Sequence, residues 1–279
     1  MSQNRYRYFT TYNFAEKQSQ SENEDASVFH CFDNKLYFSL SDGAGGVGVF
    51  SSAWAQHVTQ GQPDVAFGPH HSLDQWLLGL GESFYNRNLP KAERIGGLVL
   101  QKFYEEGSYA TLLYVWIDEE KERIMSLGIG DTCLFHFRLF GDRYILEKLY
   151  PINLQHSIDD FPKLLNWNSQ HFDWPALYEH DISKGDILIC CTDALARFFI
   201  RTMYNGDQHV FGNILSKAFL KSLETEQQKI AGSSIEDLLG MIGNFFDLPS
   251  EEEKIQILKS WVEVGLEDDD FTIASYIYE

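Results

Sequence analysis

The chain has 279 residues, 44% hydrophobic and 15% aromatic, enough to build a sizeable core and to exclude a disordered chain as the expected state. Its 41 acidic and 22 basic residues leave a formal net charge of −19, which repels phosphate backbones and anionic headgroups and argues against nucleic acid and membranes as partners. Apolar runs such as 187–191 are too short to cross a bilayer, and the opening Met1-Ser-Gln-Asn-Arg-Tyr-Arg-Tyr8 lacks the form of a secretory signal, so a cytoplasmic protein is expected.

In chain order, residues 5–14 and 26–32 read as strands, and Asp33-Asn34 turns the chain into a further strand over 36–40, making a hairpin. Ser41-Asp-Gly-Ala-Gly-Gly-Val-Gly48 follows, and Phe50, Trp54 and Val58 then recur at helical spacing. The strand is expected to end in a glycine-rich bend that feeds a helix. Ser72-Leu-Asp-Gln75 has the form of a capping box ahead of Leu73, Trp76, Leu77, Leu80 and Phe84, which predicts a second helix. Residues 95–104 are apolar but carry Gly96-Gly97, which weakens a helix, and their conformation stays open. Residues 109–117 and 123–137, rich in β-branched and aromatic side chains, predict a long hairpin around 118–122, with 144–149 as an added strand.

Residues 150–180 contain Pro151, Pro162 and Pro175 and read as an irregular surface loop or small flap. Lys184-Gly-Asp186 then turns into Ile187–Thr192, a strand apolar enough to be buried on both faces. From about 210 to 265 the pattern is helical, through Phe211, Ile214, Leu215, Phe219 and Leu223, then Ile235, Leu238, Leu239, Ile242 and Phe246. Ser250-Glu-Glu-Glu253 caps a last helix, and 271–278 alternates as a terminal strand. No repeat or linker divides the chain, so one domain over 1–279 is expected. Hairpins with helices inserted in pairs argue for antiparallel sheets covered by helices on their outer faces, an α+β sandwich. The four cysteines, Cys31, Cys133, Cys190 and Cys191, fall in strands without metal-ligand spacing and read as reduced thiols, with Cys190 and Cys191 on opposite faces.

Acidic residues recur where strands begin or end: Glu24-Asp25, Asp42-Gly43, Asp131 after Gly128-Ile-Gly130, Asp193, and Asp268-Asp-Asp270. Taken singly, most read as turns or solvated charge. Asp193 is different, because it ends a segment that should be buried, where a carboxylate needs a cation, a hydrogen-bond network or a metal. Hard ions such as Mg²⁺ and Mn²⁺ take oxygen ligands, and the histidine alternative, His70-His71, reads as a solvent-facing pair beside Pro69. Asp159-Asp160 in the flap likewise reads as solvated. Gly43, lacking a Cβ, lets its own carbonyl approach a metal. Two ions bridged by one aspartate acidify a shared water and hold a phosphoryl group for in-line attack, so phosphate-ester hydrolysis is the natural chemistry.

The order Asn23-Glu-Asp-Ala26, Ser41-Asp-Gly-Ala-Gly-Gly46, Gly107-Ser-Tyr-Ala-Thr111, Gly130-Asp-Thr132, Thr192-Asp-Ala194 and Asp269-Asp-Phe-Thr272 resembles the metal-dependent type 2C serine/threonine protein phosphatases, from about residue 5 to the C-terminus. The resemblance implies a four-layer α-β-β-α sandwich of two mostly antiparallel sheets. It also implies two Mn²⁺ or Mg²⁺ ions, whose bridging water attacks phosphoserine or phosphothreonine without a phosphoenzyme. Carried over by motif, Asp42 bridges both ions, the Gly43 carbonyl binds one of them, and Asp193 and Asp269 hold the other. Glu24 and Asp25 orient metal-bound waters or contribute to the second metal, and Asp131 matches the acidic residue used for a third, weaker ion. Asp42, Glu24 and Asp25 are the implied catalytic residues, and the family's flap falls at 150–180.

Several positions depart from the family pattern. Gln20 stands where an arginine often binds the substrate phosphate, with Lys17 the nearest upstream basic residue. Ala44 replaces a histidine found in some members, Thr192-Asp193-Ala194 replaces Ser-Asp-Gly, and the arginine that commonly ends the Gly-Asp motif is Leu134 or absent. The implied activity is a phosphoprotein phosphatase opposing a serine/threonine kinase. The alternatives are a phosphatase-like sensor or scaffold, to which Gln20 and Ala44 point, and a small-molecule phosphatase of the same fold.

Overall fold

The computed structural model describes residues 5–14, 23–32, 35–67, 73–152, 163–169, 172–212, 214–216, 219–221 and 230–279. The chain divides into two compact units, one of Glu22–Thr132 with Pro162–Asp181, the other of Met1–Ser21, Cys133–Phe161 and Ile182–Glu279.

The first unit is built on β2 (Ala26–Phe32), β3 (Lys35–Ser41), β6 (Leu112–Asp118), β7 (Arg123–Ile129) and β11 (Tyr178–Asp181). They form a five-stranded antiparallel sheet in the order β11-β7-β6-β3-β2. The expected hairpins are β2–β3 and β6–β7. Alternation along these strands sends Tyr37, Tyr114, Trp116, Leu127 and Ile129 into one core. That core also receives Trp54 and Val58 of α1 (Ser51–Gln60), Phe84 of α2 (Leu73–Ile95) and Phe103 of α3 (Gly97–Glu105). Each of these helix side chains is fully buried, and burial of this kind contributes roughly 1.5–3 kcal/mol per aliphatic or phenyl side chain. The buried polar tips are satisfied: the Trp54 indole N–H donates to the Leu165 carbonyl at 2.8 Å, and the Tyr114 hydroxyl donates to the Val58 carbonyl.

A small sheet in the order β10-β5-β4 joins β4 (Gly43–Gly48), β5 (Ser108–Ala110) and β10 (Leu165–Asn166). The expected glycine-rich bend is thus itself a strand, with an irregular register between Gly43↔Ala110 and Gly48↔Ser108. Gly48 has φ 74°, and a Cβ there would lie 2.3 Å from the Gly107 carbonyl oxygen, so only glycine lets the two backbones approach. The open segment 95–104 is helical, with Gly96 (φ 67°) and Gly97 (φ 53°) breaking one helix from the next. Part of the segment expected to be irregular supplies β10 and β11. Ser72 of the expected capping box lies outside the described residues.

The second unit holds β1 (Tyr6–Thr11), β8 (Cys133–Phe140), β9 (Arg143–Tyr150), β12 (Ile187–Cys191) and β13 (Phe271–Ile277), antiparallel in the order β1-β13-β12-β8-β9. The strand expected over 123–137 is therefore two strands in two sheets, split where Gly130 takes φ 88°. One face of this sheet presents Phe9, Phe135, Phe137, Ile189, Cys191 and Ile273. Phe198 and Phe199 of α4 (Asp193–Gly206), Phe245 of α5 (Ile235–Asp247) and Leu258 and Trp261 of α6 (Glu251–Glu263) pack into the same core. The expected cap of α6 is present, with Ser250 Oγ accepting the Glu253 N–H at 3.2 Å, and Ser234 caps α5 in the same way. Of the helix expected over 211–223, only 211–212, 214–216 and 219–221 are described.

The fold class is α+β, with antiparallel sheets flanked by helices. The cysteines are free thiols, Cys31 exposed and the others buried. Among the described residues no helix is long and apolar enough to cross a membrane.

Candidate functional site

In the first unit, Asp42 follows the last residue of β3 and is fastened to Thr111, which links β5 to β6. The Asp42 N–H donates to Thr111 Oγ1 at 2.8 Å, the Thr111 N–H donates to the Asp42 carbonyl at 2.8 Å, and Ser41 Oγ donates to the Thr111 carbonyl at 2.6 Å. Thr111 Oγ1 in turn lies 2.6 Å from Thr132 Oγ1, and both threonines are buried. Thr132 is the neighbour of Asp131, itself buried. One hydroxyl therefore ties the Asp42 position to the Asp131 position.

Glu24 and Gly43 join the same group. The Gly43 N–H donates to the Glu24 carbonyl at 3.1 Å. A Cβ at Gly45 would lie 2.4 and 2.5 Å from the two Glu24 carboxylate oxygens, so that carboxylate fills the space glycine leaves open. Asp25 is buried, and its N–H donates to Asn23 Oδ1 at 2.8 Å, an Asx turn that orients the start of β2.

In the second unit, Thr192 joins the start of α4 to β13: its N–H donates to the Thr272 carbonyl and its hydroxyl accepts the Thr272 N–H, both at 3.1 Å. Asp193 is the first residue of α4, where the helix dipole favours a carboxylate. Burial pushes its pKa above the usual carboxylate value, and the largest opposing influence is the Arg197 guanidinium one turn on. Arg197 Nη2 lies 3.4 Å from Asp193 Oδ2, Arg197 Nη1 lies 3.2 Å from Glu267 Oε2, and Arg201 Nη1 lies 3.5 Å from Glu267 Oε1.

The acidic run before β13 divides by role. Asp268 Oδ1 accepts the Phe14 N–H and Asp270 Oδ1 accepts the Asn13 N–H, each at 2.8 Å, so both side chains fasten the end of the N-terminal strand segment. Asp270 is buried, whereas Asp269 is exposed and its Oδ1 accepts the Asp270 N–H at 2.8 Å.

Glu24, Asp25, Asp42, Gly43 and Asp131 thus belong to one unit, and Asp193 and Asp269 to the other. Among the described residues, no three His, Cys, Asp or Glu side chains form a group that could hold a metal ion. The donors do fit a hard divalent ion in their chemistry: all are oxygens, the Glu24 carboxylate lies over a glycine, and Asp193 already keeps a cation beside it. Leu134 is fully buried. Lys17, Gln20, His70-His71 and Asp159-Asp160 lie outside the described residues. Two residues carry more of the arrangement than their sequence signal suggested. Thr111 was visible only as the end of a motif, and Arg197 becomes visible once α4 is known to start at Asp193, which puts the two at i and i+4.

The fold is that of the type 2C serine/threonine phosphatases. The catalytic domain of the serine/threonine protein phosphatase PstP, solved in complex with two manganese ions, superposes with a TM-score of 0.50 at 15% identity, covering 99% of this chain and 98% of that one. The serine/threonine phosphatase Stp1 from Staphylococcus aureus gives 0.51 at 15% identity, covering 98% and 94%. PstP/Ppp from Mycobacterium tuberculosis gives 0.50 at 14% identity, covering 99% of each chain. No protein-family model matches the sequence, and no curated protein matches it.

Proposed function

We propose that residues 1–279 act as a single domain, a Mn²⁺- or Mg²⁺-dependent phosphatase that hydrolyses phosphoserine and phosphothreonine in proteins and so opposes a serine/threonine kinase, in the cytoplasm. The observation that carries this reading is the fastening of Asp42. Its backbone is held on both sides by Thr111, and Thr111 is bonded to the neighbour of Asp131, inside a fold shared with phosphatases along nearly the whole chain. Side chains that must meet an ion or a phosphoryl group need such supports, because small displacements cost large factors in rate.

In this reading Asp42, the Gly43 carbonyl, Asp193 and Asp269 would hold two ions, Glu24 and Asp25 would orient metal-bound water or contribute to the second metal, and Asp131 would serve a third, weaker ion. Divalent ions held by these donors supply positive charge to a phosphoryl group and acidify water. The chain's own part is orientation. Thr111 holds the Asp42 backbone, Gly45 leaves room for the Glu24 carboxylate, and the Asx turn at Asn23 holds the Asp25 backbone. The charge of −19 favours a protein substrate over nucleic acid.

Assay of a phosphothreonine peptide with Mn²⁺ tests the reading: turnover is expected from the wild-type chain, and at least about a hundredfold less from Asp42→Asn or Asp193→Asn. The ion pair between Asp193 and Arg197, which gives that carboxylate a structural partner, favours a second reading, a phosphatase-like sensor or scaffold that does not turn over substrate. Calorimetric Mn²⁺ binding without turnover of any phosphopeptide would support that one.

A further inference from the structure

We infer that Arg197 is an internal counter-ion of the metal site, one that must leave Asp193 when a divalent ion is taken up and so sets the metal affinity. The inference rests on the reading of Asp193 as a metal ligand and adds to it a residue that acts against loading.

The geometry is local to one unit. Arg197 stands one helical turn after Asp193, its Nη2 3.4 Å from Asp193 Oδ2 and its Nη1 3.2 Å from Glu267 Oε2. Glu267 lies two residues before Asp269, and its carbonyl accepts the Asp269 N–H at 3.2 Å. A single guanidinium therefore spans the start of α4 and the loop that carries the other proposed ligand. The side chains of Asp193 and Arg197 are only 16% and 24% exposed, so water and salt screen this pair less than a pair on the open surface.

A hard divalent ion bonds carboxylate oxygens at about 2.0–2.6 Å and is repelled by a positive charge a few ångströms away. Guanidinium and metal ion consequently compete for the same carboxylate. Glu267 gives the displaced guanidinium an acceptor to keep, because Arg197 uses different nitrogens for its two partners. Metal uptake then becomes an exchange in which Asp193 passes from Arg197 to the ion while Arg197 stays on Glu267. Arg201, one turn further along α4 and 3.5 Å from the other Glu267 oxygen, carries the same charge and provides the internal control.

The test is isothermal titration of the intact chain with MnCl₂ at fixed ionic strength, with thermal melts to confirm that each variant is folded. Arg197→Gln is expected to bind Mn²⁺ about fivefold to tenfold more tightly than wild type. Arg201→Gln, with the same change in net charge, is expected to stay within about twofold. Arg197→Met, which keeps the aliphatic stem, should reproduce the glutamine result and replaces it if glutamine disturbs the fold. Unchanged or weaker binding in the Arg197 variants overturns the inference, as does an equal gain in Arg201→Gln, or the absence of Mn²⁺ binding in every protein including wild type. The two readings fail separately: a shifted affinity without phosphopeptide turnover removes the phosphatase and keeps Arg197, and turnover with unshifted affinity does the reverse.

Discussion

Thr111 illustrates how much of a site can depend on one hydroxyl. It accepts the Asp42 N–H and pairs with Thr132, and both threonines are buried. Thr111→Val keeps the shape and leaves these polar groups without their partner, which costs about 1–3 kcal/mol. Urea titration should show that loss, and metal-dependent turnover should fall with it. Asp186 governs stability in another region. Burial pushes its carboxyl pKa up, but His136 Nε2 at 2.9 Å, the Ser183 N–H at 2.9 Å and Arg138 at 3.4 Å together hold it below the usual value. The group therefore stabilises the fold fully above the unfolded carboxylate pKa, about 4, and that stabilisation is lost as pH falls through the lower folded value. Urea midpoints measured from pH 6 downward should drop more steeply below about pH 4 for wild type than for Asp186→Asn. Residues of this kind were unequally legible in the sequence. Asp42 and Asp193 stood out at strand ends. The roles within Asp268-Asp-Asp270 could not be separated by composition, since the difference lies in the backbone N–H groups of Asn13 and Phe14, far away in sequence.

At the scale of elements, α4 is the segment whose recognition changes the site most. Leu195, Phe198, Phe199, Thr202 and Met203 recur at i, i+3, i+4, i+7 and i+8 and are all buried, so the signal for a helix lay in the sequence, although the expected helical pattern began only at about 210. Phe199, with its ring 6.2 Å from that of Phe135 and 6.4 Å from that of Trp261, sits at the centre of that helix's packing. Phe199→Ala should cost about 3–5 kcal/mol by thermal or urea melting, whereas Phe140→Ser, at a hairpin tip and 76% exposed, should change stability by no more than about 0.5 kcal/mol. The strand β4 was illegible for the opposite reason. A run of glycines offers no alternation to read, and only pairing with β5, far along the chain, makes it a strand. The hairpins β2–β3 and β6–β7 depend on local alternation and short turns, and they were legible from the start.

At the scale of the whole molecule, fold class followed from the succession of hairpins and helix pairs, a pattern that survives when individual residues change. Identity of 14–15% to solved phosphatases beside coverage of 94–99% is the same fact seen from the other side. The proposed ligands are drawn from both compact units, so the deciding assay uses the full chain. Phosphate release from a phosphothreonine peptide is measured with Mn²⁺, with EDTA, and in Asp42→Asn and Asp193→Asn. A metal-dependent site predicts turnover by the wild type that EDTA abolishes and each substitution lowers by about a hundredfold or more. Hydrolysis indifferent to EDTA, or variants as fast as the wild type, would contradict it.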